Sequence, residues 1–396
     1  MFNKTYPGLR VLDLSTNIAG PLAAMVLGDL GADVIKIERP PIGDDTRALP
    51  PRWNDQATVF MAVNRNKRSL VLDLKSAPGR DALMKLAEKA DVVVESFPPG
   101  LGASLKLSFD DFRGRNPKIV LCSISAFGDG PQGRTMPGYD ALCQAMSGIM
   151  SFTGHPGDAP LRLAPSVLDM TTGMWAVIGI MGALSRRQQG GGAEHVRSSL
   201  LDSAFNLISH QVQGYMATGV LPPKLGSGAP SAAPYRVFQA SDGYFMLATA
   251  SDPQFVRLCS LLGMDDMATD SKFSRMAARL NHREAMDAIL QSQFSKHTVE
   301  YWLKVLSDAG ISVGPVNDLD EALEMPITVE RNLFVMPQAL GWESGAPLMR
   351  LPVDVDGTGV RLPPPTLGQH TAEVLREAGF DEATIEQLLK AGRKAP

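Results

Sequence analysis

Carboxylates, cations and thiols are the groups in this chain that could do chemistry, and their spacing narrows the kind. Asp169 stands in Ala164-Pro165-Ser166-Val167-Leu168-Asp169-Met170-Thr171-Thr172-Gly173, at the mouth of the most hydrophobic run. A carboxylate there reads first as a helix N-cap, accepting hydrogen bonds from free N–H groups and complementing the helix dipole. A helix N-terminus nearby also keeps such a group ionised. The same carboxylate could act as a covalent nucleophile toward an activated acyl group, and the local sequence leaves both readings open. A second feature is a set of basic residues near the ends of extended segments: Lys36, Arg39, Arg47, Arg65, Lys67, Arg68 and Lys75. Open α/β sheets bind ligands outside the carboxyl ends of their strands. Arg39 and Lys75 each follow a strand pattern and could meet phosphates there, although solvated surface charge is the commoner fate of any single one.

Other chemistries lack their residues. The turn at 15–21, Ser-Thr-Asn-Ile-Ala-Gly-Pro, is not G-x-G-x-x-G, and no G-x-x-x-x-G-K-[ST] occurs. A nicotinamide enzyme or a P-loop NTPase therefore has no warrant. The six histidines are scattered, without H-E-x-x-H or paired cysteine spacing, so no metal is expected. G-x-S-x-G is absent, and Cys122 and Cys143 lie in apolar stretches that suit buried structural thiols. Three cysteines are too few and too odd for a disulfide scaffold. Reduced thiols and an N-terminus without a signal-like apolar run point to the cytoplasm. Lys+Arg of 38 against Asp+Glu of 42 gives a net charge of −4, which argues against nucleic acid but leaves room for a small anionic ligand.

The elements that must position these groups follow an α/β rhythm. Strand patterns at Arg10–Leu14, Asp33–Glu38, Ser69–Leu74, Asp91–Glu95 and Lys118–Ser123 alternate with helical patterns at Pro21–Leu30 and Gly79–Ala90. Such spacing predicts βαβ units and a mostly parallel sheet. Helices are expected at Thr171–Arg187 and about Leu200–Thr218. The apolar run Met170–Ser185 is shorter than the roughly 20 residues of a membrane span, so it reads as a buried core helix. Leu221–Pro234 is rich in Pro, Gly and Ser and reads as a linker or binding loop. A second region follows, with strands near 235–238 and 244–249 and helices at 253–262, 283–294 and 298–309. The tail carries helices at 371–378 and 382–391. With 396 residues, two or three domains are expected.

Several segments, taken in order, resemble the family III CoA-transferases: GLRVLDLSTNIAGPLAAMVLGDLGADVIKIERP (8–40), NRNKRSLVLDLK (64–75), ADVVVESFPPG (90–100), GYDALCQAMSG (138–148), SVLDMTTGMWAVIGIMGAL (166–184) and PTLGQHTAEVLREAG (365–379). That family includes CoA-transferases and α-methylacyl-CoA racemases. The resemblance implies a Rossmann-like large domain built from both termini (1–220 and 326–396), a smaller inserted α+β domain (221–325), and an interlocked homodimer. It implies acyl-CoA as substrate, with no metal, no nicotinamide, no nucleic acid and no membrane.

Residue by residue, Asp169 falls on the family's catalytic aspartate. Arg39 matches the arginine that contacts the CoA nucleotide, and Leu72 through Lys75 match a stretch lining the adenine and phosphate site. Ser96, Phe97 and Pro98 match the next strand-end loop, and Pro137, Gly138, Tyr139 and Asp140 the loop near pantetheine and thioester. Formyl-CoA transferases carry an arginine near Ser104, where this chain offers only Lys106. Asn17, Ile18, Ala19 and Arg47 are expected at the substrate. Gly226 and Gly228 stand where formyl-CoA transferases have a longer glycine lid, implying a shorter one here. The racemases carry histidine at the position of Tyr139, and tyrosine is a poor base at neutral pH. Transfer is therefore favoured over racemisation or other α-proton chemistry, and a non-catalytic CoA-binding role is third. Arg47, Arg65, Arg134 and Arg162 could hold a second carboxylate. That suggests succinyl-CoA as donor and an acceptor such as itaconate, mesaconate or malate, while pairing with protein acids or CoA phosphates is the equal alternative.

Overall fold

A computed structural model describes residues 5–342, 345–353 and 359–393. It divides into two compact units. One takes the chain up to Ile149, Leu163–Ala217 and everything from Asn332 onward; the other takes Met150–Arg162 and Thr218–Arg331. The segment 150–162, which the sequence places in the first region, thus clusters with the second unit.

The first unit is built on six parallel strands: β1 (Arg10–Asp13), β2 (Asp33–Glu38), β3 (Lys67–Val71), β4 (Val92–Glu95), β5 (Val120–Ser125) and β6 (Glu194–Ser199). Their order is 3-2-1-4-5-6, so the winding reverses beside β1. Alternation along each strand supplies two faces. Leu12, Ile35, Leu70, Val93 and Leu121 pack on one side against the helix Ala77–Ala87 and the C-terminal helices Thr371–Glu377 and Glu382–Arg393. Val11, Val34, Val92, Val94 and Val120 pack on the other against helix α1 (Ala19–Asp29) and the long helix α3 (Val167–Gln188). Between them in sequence lies the short helix α2 (Asp140–Met146). The tail rejoins this unit by hydrogen bonds: Asn66 N–H donates to Leu362 O at 3.0 Å, and Asn66 Oδ1 accepts from Arg361 N–H at 2.6 Å.

Three sequence expectations change. The third strand starts at Lys67, two residues before the apolar run, because the Lys67 ammonium satisfies itself inside. It donates to Asp13 Oδ2 (2.7 Å), Asn64 Oδ1 (2.8 Å) and Pro21 O (2.8 Å), with no exposed surface. Lys36 is equally buried, 2.9 Å from Asp44 Oδ2. Arg65 holds Asp29, and Arg68 holds Asp33, Glu373 and Glu377. Arg47 is likewise paired with buried Glu38, so five of the seven strand-end cations are ion-paired within the protein and unavailable to phosphate. The stretch 200–218 is two helices, α4 (Leu200–Leu207) and Ser209–Thr218, rather than one. Finally, α3 has 22 residues and is long and apolar enough to cross a membrane. Only one face of it is core. Leu168, Thr172, Ala176, Ile180 and Leu184 are buried, whereas Met170, Met174, Ile178 and Met181 form an exposed stripe.

The second unit has a three-stranded antiparallel sheet in which Tyr244–Ala248 lies between Tyr235–Gln239 and Ser312–Pro315. The last of these strands contains Val313-Gly314-Pro315 and pairs antiparallel with Phe245–Ala248. Its core gathers Phe238, Phe245, Phe255, Phe294 and Trp302.

Helix α3 comes close to its neighbours at two glycines. A methyl group at Gly173 would lie 2.7 Å from Ala19 O, and one at Gly179 would lie 2.6 Å from a Val196 methyl. Gly173→Ala is expected to push α3 from α1 and cost about 1–3 kcal/mol, read as a lower midpoint in urea with an unchanged slope.

Candidate active site

Helix α3 begins with no side-chain cap of its own, since Ser166 at the N-cap makes no such bond. Asp140, the first residue of α2, caps it from outside. Its Oδ2 accepts the main-chain N–H of Leu168 at 2.8 Å and of Asp169 at 3.2 Å. Its Oδ1 accepts Gln144 Nε2 at 2.6 Å, and Gln144 Oε1 accepts Leu163 N–H at 2.9 Å. An aspartate and a glutamine four residues apart on one helix face thus hold both the approach to α3 and its first turn. Further along, Thr172 Oγ1 donates to Ser203 Oγ at 2.8 Å, which ties α3 to α4.

Asp169 is the third residue of α3, not its cap. Its side chain is partly buried and its carboxyl has no hydrogen-bond partner among the described residues. Burial, and then the Asp140 carboxylate beside it, push its pKa up to about 7. The expectation that the helix end keeps Asp169 ionised is overturned, because Asp140 accepts the free N–H groups that would have stabilised it. Cys143 faces the same two acids, and with burial they push its thiol up to about 12. It is no nucleophile at neutral pH.

One turn beyond Asp169, Gly173 lies against Ala19 O, which brings the loop Ser15–Ala19 to the helix that carries Asp169. Four polar partners fix that loop. Ser15 N–H donates to Asp13 Oδ1 (3.1 Å), and Ser15 O accepts from Lys36 Nζ (3.0 Å). Thr16 N–H donates to Ser96 Oγ (3.0 Å), and Asn17 N–H to Asp44 Oδ1 (3.4 Å). Asn17 adopts the left-handed region at φ 66°, where asparagine is tolerated better than most residues. Ile18 and Ala19 begin α1, whose first turn carries neither a side-chain cap nor an acid.

The remaining sequence-predicted residues fall as follows. Arg39 is exposed and pairs with Asp45. Arg47 lies across Glu38 with two 2.7 Å bonds and donates to Pro365 O, so its guanidinium already serves the protein. The Leu72 side chain is in the core, which leaves only its main chain for a ligand, whereas Lys75 is exposed. Phe97 N–H donates to Glu95 Oε2 at 2.7 Å, and Pro98 is exposed. Lys106 is exposed in a turn at φ 56°. Gly138 has no room for a side chain, since a methyl there would meet Ala126 Cβ at 2.5 Å. Tyr139 is 72% exposed, but the neighbouring Asp140 is only 6% exposed and points inward. Asp140 therefore serves the helix rather than a thioester, and Gln144 joins it. The sequence reading missed this pair, although its four-residue spacing on α2 was the available signal. Gly226 and Gly228 belong to the second unit. Gly226 N–H donates to Gly154 O at 2.9 Å, and its α-carbon is overlaid by the His155 ring. Among the described residues, no cluster of His, Cys, Asp or Glu could hold a metal ion.

Comparison with known proteins identifies the family of the chain. The model of CoA-transferase family III matches residues 6–371. The chain is 36% identical over 388 residues to a succinate–glutarate CoA-transferase of Agrobacterium fabrum, covering 95% of this chain and 96% of that one. It is 34% identical over 401 residues to succinyl-CoA:glutarate CoA-transferase of Mus musculus, covering 98% and 90%. A solved structure of a CAIB/BAIF family protein from Brucella suis matches with a TM-score of 0.84 at 33% identity, over 96% of this chain and 100% of that one.

The raised pKa of Asp169 has a consequence for stability. The folded state holds the Asp169 proton more tightly than the unfolded chain, so stability falls as pH rises from about 4 through about 7. Asp169→Asn lacks that ionisation. Its thermal midpoint is expected to exceed that of the unaltered protein above pH 7 and to converge with it toward pH 4. Equal midpoints at all pH values would contradict the assignment.

Proposed function

The chain belongs to CoA-transferase family III and is an enzyme of that class; on that premise we propose that it moves CoA from succinyl-CoA to a dicarboxylic acid, with Asp169 as the covalent nucleophile. The observation that carries this reading is an aspartate carboxyl with no hydrogen-bond partner among the described residues, in the first turn of a rigidly held helix, with its pKa raised to about 7. The relatives named for succinyl-CoA and glutarate favour a five-carbon dicarboxylate as acceptor.

The steps balance without a proton. The Asp169 carboxylate attacks the thioester carbonyl of succinyl-CoA, the carbon–sulfur bond breaks, and CoA leaves as thiolate from a mixed anhydride. The thiolate then attacks the aspartyl carbonyl, releasing succinate and leaving an aspartyl-CoA thioester. The acceptor carboxylate attacks that thioester and expels CoA thiolate again. Attack of the thiolate on the acceptor's carbonyl forms the new acyl-CoA and frees Asp169. Covalent steps of this kind conserve the thioester's energy. A general base is unnecessary, which suits an exposed tyrosine at 139. The Asp140 charge assists acylation, because forming the anhydride removes the like charge beside it and relieves their repulsion.

Arg39, Lys75, Lys106, the main chain at Leu72 and the Ser96–Pro98 turn are assigned to CoA, with Gly138 and Tyr139 nearer the thioester. Asn17, Ile18 and Ala19 are assigned to the acyl group, where backbone N–H groups can stabilise the oxyanion. The uncovered stripe Met170, Met174, Ile178 and Met181 supports the interlocked homodimer as the working form. The three buried free cysteines suit the cytoplasm.

Mass spectrometry of CoA thioesters after mixing the protein with succinyl-CoA and a panel of acids tests the activity. Glutaryl-CoA or a similar dicarboxylic thioester should appear as succinyl-CoA is lost. Asp169→Asn should lower that rate by about a thousandfold or more. Exchange with monocarboxylates alone would contradict the dicarboxylate assignment, and deuterium uptake at the acyl α-carbon without exchange would favour racemisation. Light scattering of the purified protein should report a dimer; a stable monomer would contradict the interlocked form.

A further inference from the structure

Most arginines of the first unit are already engaged. Arg47, Arg65, Arg68, Arg186, Arg187 and Arg197 each face a carboxylate, and Arg80 and Arg361 donate to main-chain carbonyls. Arg134 differs. Only its main chain is bonded, through N–H to Gly130 O at 3.0 Å; its guanidinium has no hydrogen bond or ion pair among the described residues. It lines a cavity of about 400 Å³ with Pro99, Gly100, Thr135 and Pro137. These walls come from the chain leaving the carboxyl ends of β4 and β5, where ligands of open parallel sheets lie.

The lining selects the ligand. It contains one cation, one hydroxyl and no carboxylate, and the nearby acid Asp129 is taken by Arg197 at 2.7 Å. An anion entering the cavity therefore meets a free guanidinium and no opposing charge. Two anionic parts of the substrates compete for it: a phosphate of CoA and the distal carboxylate of a dicarboxylic acid. The distal carboxylate of a short acid must stay within a few bonds of the reacting carbon at Asp169. No residue of α3, and none of the loop Ser15–Ala19, lines this cavity. The cavity is thus lined apart from Asp169, which favours the phosphate over the distal carboxylate of a short acid.

We propose that Arg134 is a binding residue for a phosphate of the CoA nucleotide, held in the cavity between the β4 and β5 strand-end loops. The inference rests on the CoA-transferase reading and adds to it the cation that meets the nucleotide. A planar guanidinium presents paired N–H donors that match two phosphate oxygens, and the glycine and prolines around it offer a wall with no competing charge.

Calorimetric titration of the full chain and of Arg134→Ala with CoA, dephospho-CoA and glutarate tests this without requiring turnover. Loss of a charged hydrogen-bond pair should weaken CoA binding by about tenfold or more. Arg134→Lys, which keeps the charge but not the fork, should recover part of the loss. If the two proteins bind dephospho-CoA equally, Arg134 meets the 3′-phosphate; if the loss persists, it meets the diphosphate. Either pattern supports the proposal. Unchanged CoA affinity in a folded Arg134→Ala protein overturns it, as does weakened glutarate affinity with CoA affinity intact. CoA binding by the unaltered protein without thioester exchange would instead overturn the transferase reading and leave Arg134 in place.

Discussion

The Asp140 carboxylate, accepting the main-chain N–H groups of Leu168 and Asp169, is the interaction on which the rest of the site depends. It supplies the cap that Ser166 does not make, so the helix carrying Asp169 starts where it does because of a residue 29 positions earlier. It also places a buried negative charge beside a second carboxyl. The helix end would ordinarily stabilise Asp169 as an anion, but its free N–H groups are turned to Asp140. What remains for Asp169 is burial and like-charge repulsion, and both favour the neutral form. An ionised Asp169 is thereby more basic than an ordinary aspartate, and on the proposed route acylation relieves the repulsion.

A second set of buried charges fixes the opposing loop. Asp13 lies between Lys36 and Lys67, which hold its pKa down to about 2 despite complete burial. Lys36 also reaches Asp44 and Ser15 O, and Asp44 reaches the Asn17 amide. Removing one member would leave an uncompensated charge in the core, which is strongly destabilising. The cluster ties the carboxyl ends of β1 and β2 to the loop that meets α3 at Gly173. Rigid helix and rigid loop thus face each other across a glycine, one from a carboxylate cap and the other from an ion cluster.

Much of the sheet was legible from apolar alternation, and Asp169 could be picked out once neighbouring segments placed it in a family. Local sequence alone left it indistinguishable from a cap, because the residue at which α3 starts is set by Asp140, 29 positions earlier. The misread features share a cause: they are settled by contacts distant in sequence. Lys67 looked like a strand-end cation because nothing nearby announces Asp13, 54 residues away. Arg47 looked free for a substrate until Glu38 lay beneath it. The apolar run after Asp169 looked uniformly buried, although its helix turns Met174 and Ile178 outward. Hydrophobic character alone does not distinguish a face that meets the chain's own core from one left uncovered.

The central claim, that Asp169 becomes covalently acylated and returns as a carboxylate, is tested most directly by tracing oxygen. An acceptor dicarboxylate labelled with heavy oxygen in its carboxyl groups would be mixed with the succinyl-CoA-loaded enzyme for a single turnover, and the peptide spanning Asp169 weighed. The anhydride route leaves one oxygen of the acceptor on the aspartyl carboxylate when CoA departs with the acyl group, so Asp169 should carry the label. An unlabelled Asp169 after acyl-CoA product has formed would show that the acid attacked the thioester directly, and would contradict the account.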